Sequence, residues 1–149
     1  MSTDHTLRSQ RYAEWLAGQD LKFNFGAELA ALADRKRGPI TNDTPPVESW
    51  HRIIPTVQVI EKVREQFGPV TITSAYRALA YNLAVGGEKA SWHMKNVACD
   101  IQCRQATPEQ VGQFLKNLRA TGFFSGGIGI YGSFVHVDTR GTNVDWRGK

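Results

Sequence analysis

Two short segments alternate apolar and polar residues with a period of two, and each carries a metal-type ligand on its polar side. In Ala98-Cys99-Asp100-Ile101-Gln102-Cys103 a strand puts Cys99, Ile101 and Cys103 on one face and Ala98, Asp100 and Gln102 on the other. In Phe134-Val135-His136-Val137-Asp138 the two valines share the apolar face, leaving Phe134, His136 and Asp138 opposite. A chain patterned this way must pack one side of a sheet on a core and keep the other side polar. Asp100 and His136 then look onto the same polar surface. His93, in Ser91-Trp92-His93-Met94-Lys95-Asn96-Val97, adds a second imidazole. Two imidazoles and one carboxylate match the ligand count of a catalytic zinc site, which takes three protein ligands and keeps the fourth position for water.

Around these segments the pattern is mixed helix and strand. Residues 8 to 37 read as helical in two pieces, with Tyr12, Trp15 and Leu16 on one face of the first and Leu29, Ala30 and Leu32 in the second. Gly38-Pro39-Ile40-Thr41-Asn42-Asp43-Thr44-Pro45-Pro46 breaks the pattern with turn formers. Trp50, Ile54, Val57, Ile60 and Phe67 then recur at roughly helical spacing, Pro55 marks a kink or a fresh helix start, and Gly68-Pro69 ends the run. Val70-Thr71-Ile72-Thr73 is β-branched and predicts a strand that delivers Ser74 to Arg77 at its end. Thr107, Pro108 and Gln110 form a capping-box start for a helix with Val111, Phe114, Leu115 and Leu118 as its apolar stripe, and Gly122 stops it. Gly126 to Tyr131 and Phe134 to Asp138 read as a hairpin across Gly132-Ser133.

The two cysteines, Cys99 and Cys103, fall on the apolar face of their strand and read as small buried hydrophobes, with metal binding as the alternative. A disulfide is excluded by reach: residues four apart on a strand have Cα atoms about 13 Å apart, beyond what a bridge spans. His5 and His51 read as structural or solvent-exposed.

Several further motifs lie in a fixed order: Thr73-Ser74-Ala75-Tyr76-Arg77, Tyr81-Asn82, Val85-Gly86-Gly87, Ser91-x-His93, Ala98-x-Asp100, Gly126-Gly127-Ile128-Gly129 and Phe134-Val135-His136-Val137-Asp138-x-Arg140. In this order and spacing, from Ile72 to Gly141, the sequence resembles the zinc D-Ala-D-Ala carboxypeptidase family of cell-wall peptidases, M15. The resemblance implies a single α+β domain over residues 1–149, hedgehog/DD-peptidase-like, in which N-terminal helices pack on a small, mostly antiparallel sheet carrying a zinc site. Residues 1–46 would form a helical N-terminal extension and 47–149 the catalytic core. It implies His93, Asp100 and His136 as zinc ligands and Arg77 as an electrostatic helper, a surface ion pair being the alternative for Arg77; Ser91, Trp92 and Tyr76 are expected on the substrate side, with packing as the alternative for Trp92. The substrate class it implies is peptidoglycan peptides. A terminal D-Ala-D-Ala bond, an L-Ala-D-Glu bond and an interpeptide crosslink all remain open.

Two positions depart from the family pattern. Asn96 stands where relatives carry glycine, a mild change because Asn tolerates the left-handed backbone. Ser133 stands where many relatives carry the acidic general base. Asp138, on the His136 face and about 7 Å along the strand, is the expected substitute, either as base or as an acceptor that orients an imidazole. Ser133 also leaves room for a reading from another class, a non-catalytic, zinc-stabilised module that binds wall peptide, or a phage structural component.

At 149 residues, 41% hydrophobic and 21% charged, the chain has the makings of one globular core. The net charge of +4, with aromatic residues not interleaved among basic runs, argues against nucleic acid and suits an anionic wall. No apolar run is long enough to insert in a membrane. Met1 to Arg8 lacks the apolar stretch of a secretory signal. The expectation is a monomer made in the cytoplasm that reaches the wall by another route, as phage lysins do through a membrane pore.

Overall fold

The computed structural model describes residues 3–149; Met1 and Ser2, which open the stretch read above for a secretory signal, lie outside the described residues. Two helices come first, α1 (Thr3–Ala17) and α2 (Gly26–Ala33), both following their apolar periodicity. The second helix is shorter than the pattern predicts. Asp34 closes it, and Gly38, with φ of 60°, turns Lys36–Arg37 (β1) back onto Ile40–Thr41 (β2) as a small antiparallel ribbon.

A 3₁₀ turn (Val47–Ile53) runs into α3 (Ile54–Phe67), with Pro55 in the first turn, where its missing N–H costs nothing. Gly68 (φ 85°) ends α3 and releases β3 (Val70–Ser74). A short helix α4 (Leu79–Ala84), a 3₁₀ turn (Trp92–Lys95) and β4 (Ala98–Cys103) follow. Helix α5 (Pro108–Ala120) starts with the predicted capping box: Gln110 N donates to Thr107 Oγ1 at 3.2 Å, and Thr107 N donates to Gln110 Oε1 at 2.9 Å. Strands β5 (Gly127–Ile130), β6 (Val135–Asp138) and β7 (Val144–Arg147) complete the chain, β5 and β6 being the expected hairpin.

The main sheet has the order β3-β4-β6-β5-β7, antiparallel except for the parallel pair β5–β7. The fold is therefore α+β with a small, mostly antiparallel sheet, as the sequence implied. One face of the sheet is the core side: Ile72, Cys99, Ile101, Ile128, Ile130, Val135 and Val137 meet Val57, Ile60 and Val63 of α3 and Val111 and Leu115 of α5. Tyr12, Leu16, Phe25 and Leu29 from the first two helices belong to that same core. Each such fully buried side chain contributes about 1.5–3 kcal/mol, so α1 and α2 share in the stability of the sheet domain. Both cysteines are free thiols, Cys99 in the core and Cys103 half-buried. Among the described residues no helix is long and apolar enough to cross a membrane.

Candidate metal centre and its cleft

The polar face of the sheet is organised as one transverse row. Strand pairing sets Ser74 opposite Asp100, Asp100 opposite His136, His136 opposite Gly129, and Gly129 opposite Trp146. Directly opposed residues on neighbouring strands have side chains close enough to interact, so the acid and one imidazole are neighbours because of the ladder itself. The glycine in the row leaves space that Trp146 fills: a Cβ on Gly129 would lie 2.4 Å from the indole.

The second imidazole comes from outside the sheet. Ser91 Oγ accepts from His93 N at 3.2 Å and caps the 3₁₀ turn, and Asn96 closes it in the left-handed conformation (φ 59°, ψ 44°) while donating to Ser49 O. The replacement of glycine at this position is thus accommodated by a residue that adopts the same backbone. The turn is tied to the end of β3 by a bond from Arg77 N to His93 O, 3.2 Å.

Each imidazole is locked by its outer nitrogen. His93 Nδ1 lies 2.7 Å from the carbonyl of Ala75, and His136 Nε2 lies 2.7 Å from Asp138 Oδ2. Carbonyl and carboxylate oxygens only accept, so both outer nitrogens carry the proton. The inner nitrogens, His93 Nε2 and His136 Nδ1, then stand 3.2 and 3.1 Å from a single oxygen, Asp100 Oδ1. Two lone pairs aimed at a carboxylate repel it unless a cation, a proton or a metal ion, sits among them. Burial alone would lower the His136 pKa, yet the hydrogen bonds and charges of Asp100 and Asp138 raise it; burial would raise the Asp100 carboxyl, yet its bonds to His136 and His93 hold it well below the usual range. His93, Asp100 and His136 are all buried, with one ligand atom from each within 4.8 Å of the others. The donor set and its second layer of acceptors fit a metal ion, since ligating histidines characteristically donate their outer N–H to a carboxylate or carbonyl.

Asp138 is fully buried. Its Oδ1 accepts from Gly127 N (2.9 Å), Arg140 N (3.1 Å) and Arg140 Nε (2.9 Å), and its Oδ2 from His136 Nε2 and Arg140 Nη2, both at 2.7 Å. Burial would raise its pKa, but the bonds to His136, Arg140 and Gly127 hold it well below the ordinary carboxylate range. Arg140 in turn lies over two indoles, its Cζ 4.8 Å from the centre of the Trp92 ring and 5.3 Å from that of Trp146.

The cluster lies at the floor of an open cleft of about 640 Å³. Arg77, Ser91, Trp92 and the three candidate ligands all line it. Arg77 is fixed by Ser74 Oγ (3.1 Å from Nε) and Asn82 Oδ1 (3.3 Å from Nη1), which brings Nη2 to 3.6 Å from Asp100 Oδ2. Gly87 permits this approach, for a Cβ there would sit 2.1 Å from Asn82 Oδ1 and 2.9 Å from Arg77 Nη1.

Tyr76 does not reach the cleft; it lines a second hollow of about 390 Å³ with Trp50, Pro45 and Arg8. The reason is local. Asn42 pins both sides of the segment, donating to Tyr76 O (2.8 Å) and accepting from Ala78 N (2.9 Å), so Arg77 and its neighbours turn to opposite sides. Three cleft residues had no role in the sequence reading: Arg140, whose only signal was its place in the last motif, Trp146 beyond the matched segment, and Glu88 after the glycine pair. Glu88 and Asp100 are the carboxylates on the cleft wall, and the Glu88 side chain makes no hydrogen bond or ion pair among the described residues. Its backbone carbonyl is held by Asn82 Nδ2 (2.8 Å) and Ser91 N (3.1 Å).

A sheet face carrying Asp100 and His136, joined by His93 from the adjoining turn, presents two locked imidazoles and a carboxylate to an open cleft, a donor set that could hold a metal ion. The sequence model of the family Peptidase M15 matches residues 25–138, well over half of the chain, and the protein belongs to that family. Neither a curated protein nor a solved structure matches it.

Proposed function

We propose that the protein is a zinc-dependent peptidase that hydrolyses an amide bond in peptidoglycan stem peptides or crosslinks, as a D-Ala-D-Ala carboxypeptidase or an endolysin-type endopeptidase acting at the cell wall. The observation that carries this reading is the convergence of two tautomer-locked imidazoles on the Asp100 carboxylate at the floor of the cleft. His93 Nε2, His136 Nδ1 and Asp100 would hold the ion, a nitrogen and oxygen set that zinc accepts. When bound, zinc supplies Lewis-acid activation of water and of the scissile carbonyl.

The protein's own groups divide the remaining tasks. Ala75 O and Asp138 accept the outer N–H groups and so aim the inner nitrogens at the cluster. Arg77, held in a fixed orientation at the edge of the cluster, stabilises the carbonyl oxygen as it gains negative charge, because preorganised donors cost no reorganisation during the reaction. Asp138 has every lone pair engaged and does not line the cleft, so it serves as the orienting group for His136. With Ser133 where relatives carry an acid, Glu88 is the free carboxylate left to take a proton from water and return one to the leaving amine.

Purified peptidoglycan should be cut by the protein, the activity should disappear with a chelator, and added zinc should restore it. Ser133 favours one other reading, a wall-binding module without turnover. A protein that binds the wall, retains zinc and cuts nothing would decide for it.

A further inference from the structure

Every nitrogen of Arg77 has a polar partner: Ser74 for Nε, Asn82 for Nη1 and Asp100 for Nη2. Arg140, the other guanidinium on the cleft wall, is different. Its Nε and Nη2 form a two-point fork with Asp138 at 2.9 and 2.7 Å, while Nη1 makes no hydrogen bond among the described residues. A guanidinium is planar with donors on fixed edges, so engaging the Nε and Nη2 edge turns the Nη1 donors away from the bound carboxylate. Its side chain is only 13% exposed, and its guanidinium lies against the rings of both Trp92 and Trp146. Asp138 is wholly buried and off the cleft wall, so what the cleft meets is the cationic edge of the pair and not the anion. A long, flexible side chain has been immobilised next to the His136 ring, itself 5.0 Å from Trp146, with two donors left over.

We propose that Arg140 is a specificity-determining anchor for a carboxylate of the substrate, gripped through the Nη1 donors beside the metal cluster. The ligand is an anionic peptide carrying a carboxylate near the bond that is cut. Because the orientation entropy is already spent in the folded protein, a carboxylate arriving there gains a charge-assisted hydrogen bond at low ordering cost. The carboxylate has two possible sources, the free C-terminus of the peptide or an acidic residue within it. The inference rests on the peptidase reading for the identity of the peptide, and on the fork and the two indoles for the anchor.

The test uses three probes: a wall stem peptide ending in D-Ala-D-Ala, the same peptide amidated at its C-terminus, and the same peptide amidated only at its glutamate. Calorimetric binding to the zinc-loaded protein and hydrolysis are measured separately. The expected result is about 10- to 100-fold weaker binding of one amidated peptide, the range of a hydrogen bond to a charged group, and the peptide affected names the source. In Arg140→Gln that discrimination should vanish, and Arg140→Lys, which keeps a charge beside the indoles but loses the fork, should keep only part of it. Loss of metal through a misplaced Asp138 weakens all three peptides alike, so the ratio between peptides isolates the anchor. Equal binding of all three by the wild type, or an unchanged ratio in Arg140→Gln, overturns the proposal; if that variant does not fold, an unchanged ratio in Arg140→Lys does so. Discrimination in binding without cleavage of any peptide supports the anchor and overturns the peptidase reading instead.

Discussion

A carboxylate with no exposed surface persists in a fold only when its oxygens are filled, and Asp138 meets that condition through His136, Gly127 and Arg140. Its exchange for Asn should therefore act on the metal: zinc affinity should fall about 10- to 100-fold, and saturating zinc should return much of the rate. Glu88→Gln should do the reverse, with zinc affinity kept and turnover reduced by about 10²-fold or more. A competition titration with a chromophoric chelator, run beside the rate assay, separates the two. Arg77→Lys removes two of three fixed donors and should lower turnover by about 10²-fold at unchanged zinc content. The positions of His93, Asp100 and His136 were legible because alternation and turn chemistry are local. The engagement of Asp138 was not: His136 and Arg140 flank it two residues away and Gly127 lies on the neighbouring strand, but an Asp two residues after a His reads equally as base or support until the side-chain directions are known.

The elements with a strong local pattern were readable: α3 with its apolar spacing, α5 with its capping box, and the β5–β6 hairpin with its alternating Val135-His136-Val137-Asp138. Those that answer to tertiary contacts were not. Strand β7 is mostly exposed, its Val144-Asp145-Trp146-Arg147 alternation is only four residues long, and it is held by Trp146 lying over Gly129 and by Arg119 and Arg147 pairing with Asp145 and Glu109. Helix α4 is short, and its buried Asn82 earns its place by bonding to Arg77 and Glu88. The dependence of β7 on a bare glycine gives a direct test. Gly129→Ala should press a methyl into the indole, destabilise the protein by about 1–3 kcal/mol, and shift the tryptophan fluorescence as β7 and Trp146 move off the cleft. An unaltered spectrum and midpoint in urea would show that the indole is not seated there.

At the scale of the molecule the family match begins at residue 25, but the core does not. Tyr12 and Leu16 of α1, 2% and 1% exposed, pack with residues of α2, α3 and the sheet, and Tyr12 and Trp15 both contact the Trp50 ring. Leu16→Ala should cost about 2–5 kcal/mol, read as a single cooperative transition in which helix and cleft signals fall together. Two separate transitions would make the first helices an independent appendage. The direct pairing of Asp100 with His136 across β4 and β6 has one more consequence. A slip of one residue between those strands would rotate His136 toward the interior and bring a valine out in its place. Any ion captured there consequently acts as an inspector of frame: it rewards only chains whose ladder has closed in the correct alignment, and metal uptake during refolding becomes a proofreading signal, timed to the moment at which the two strands agree.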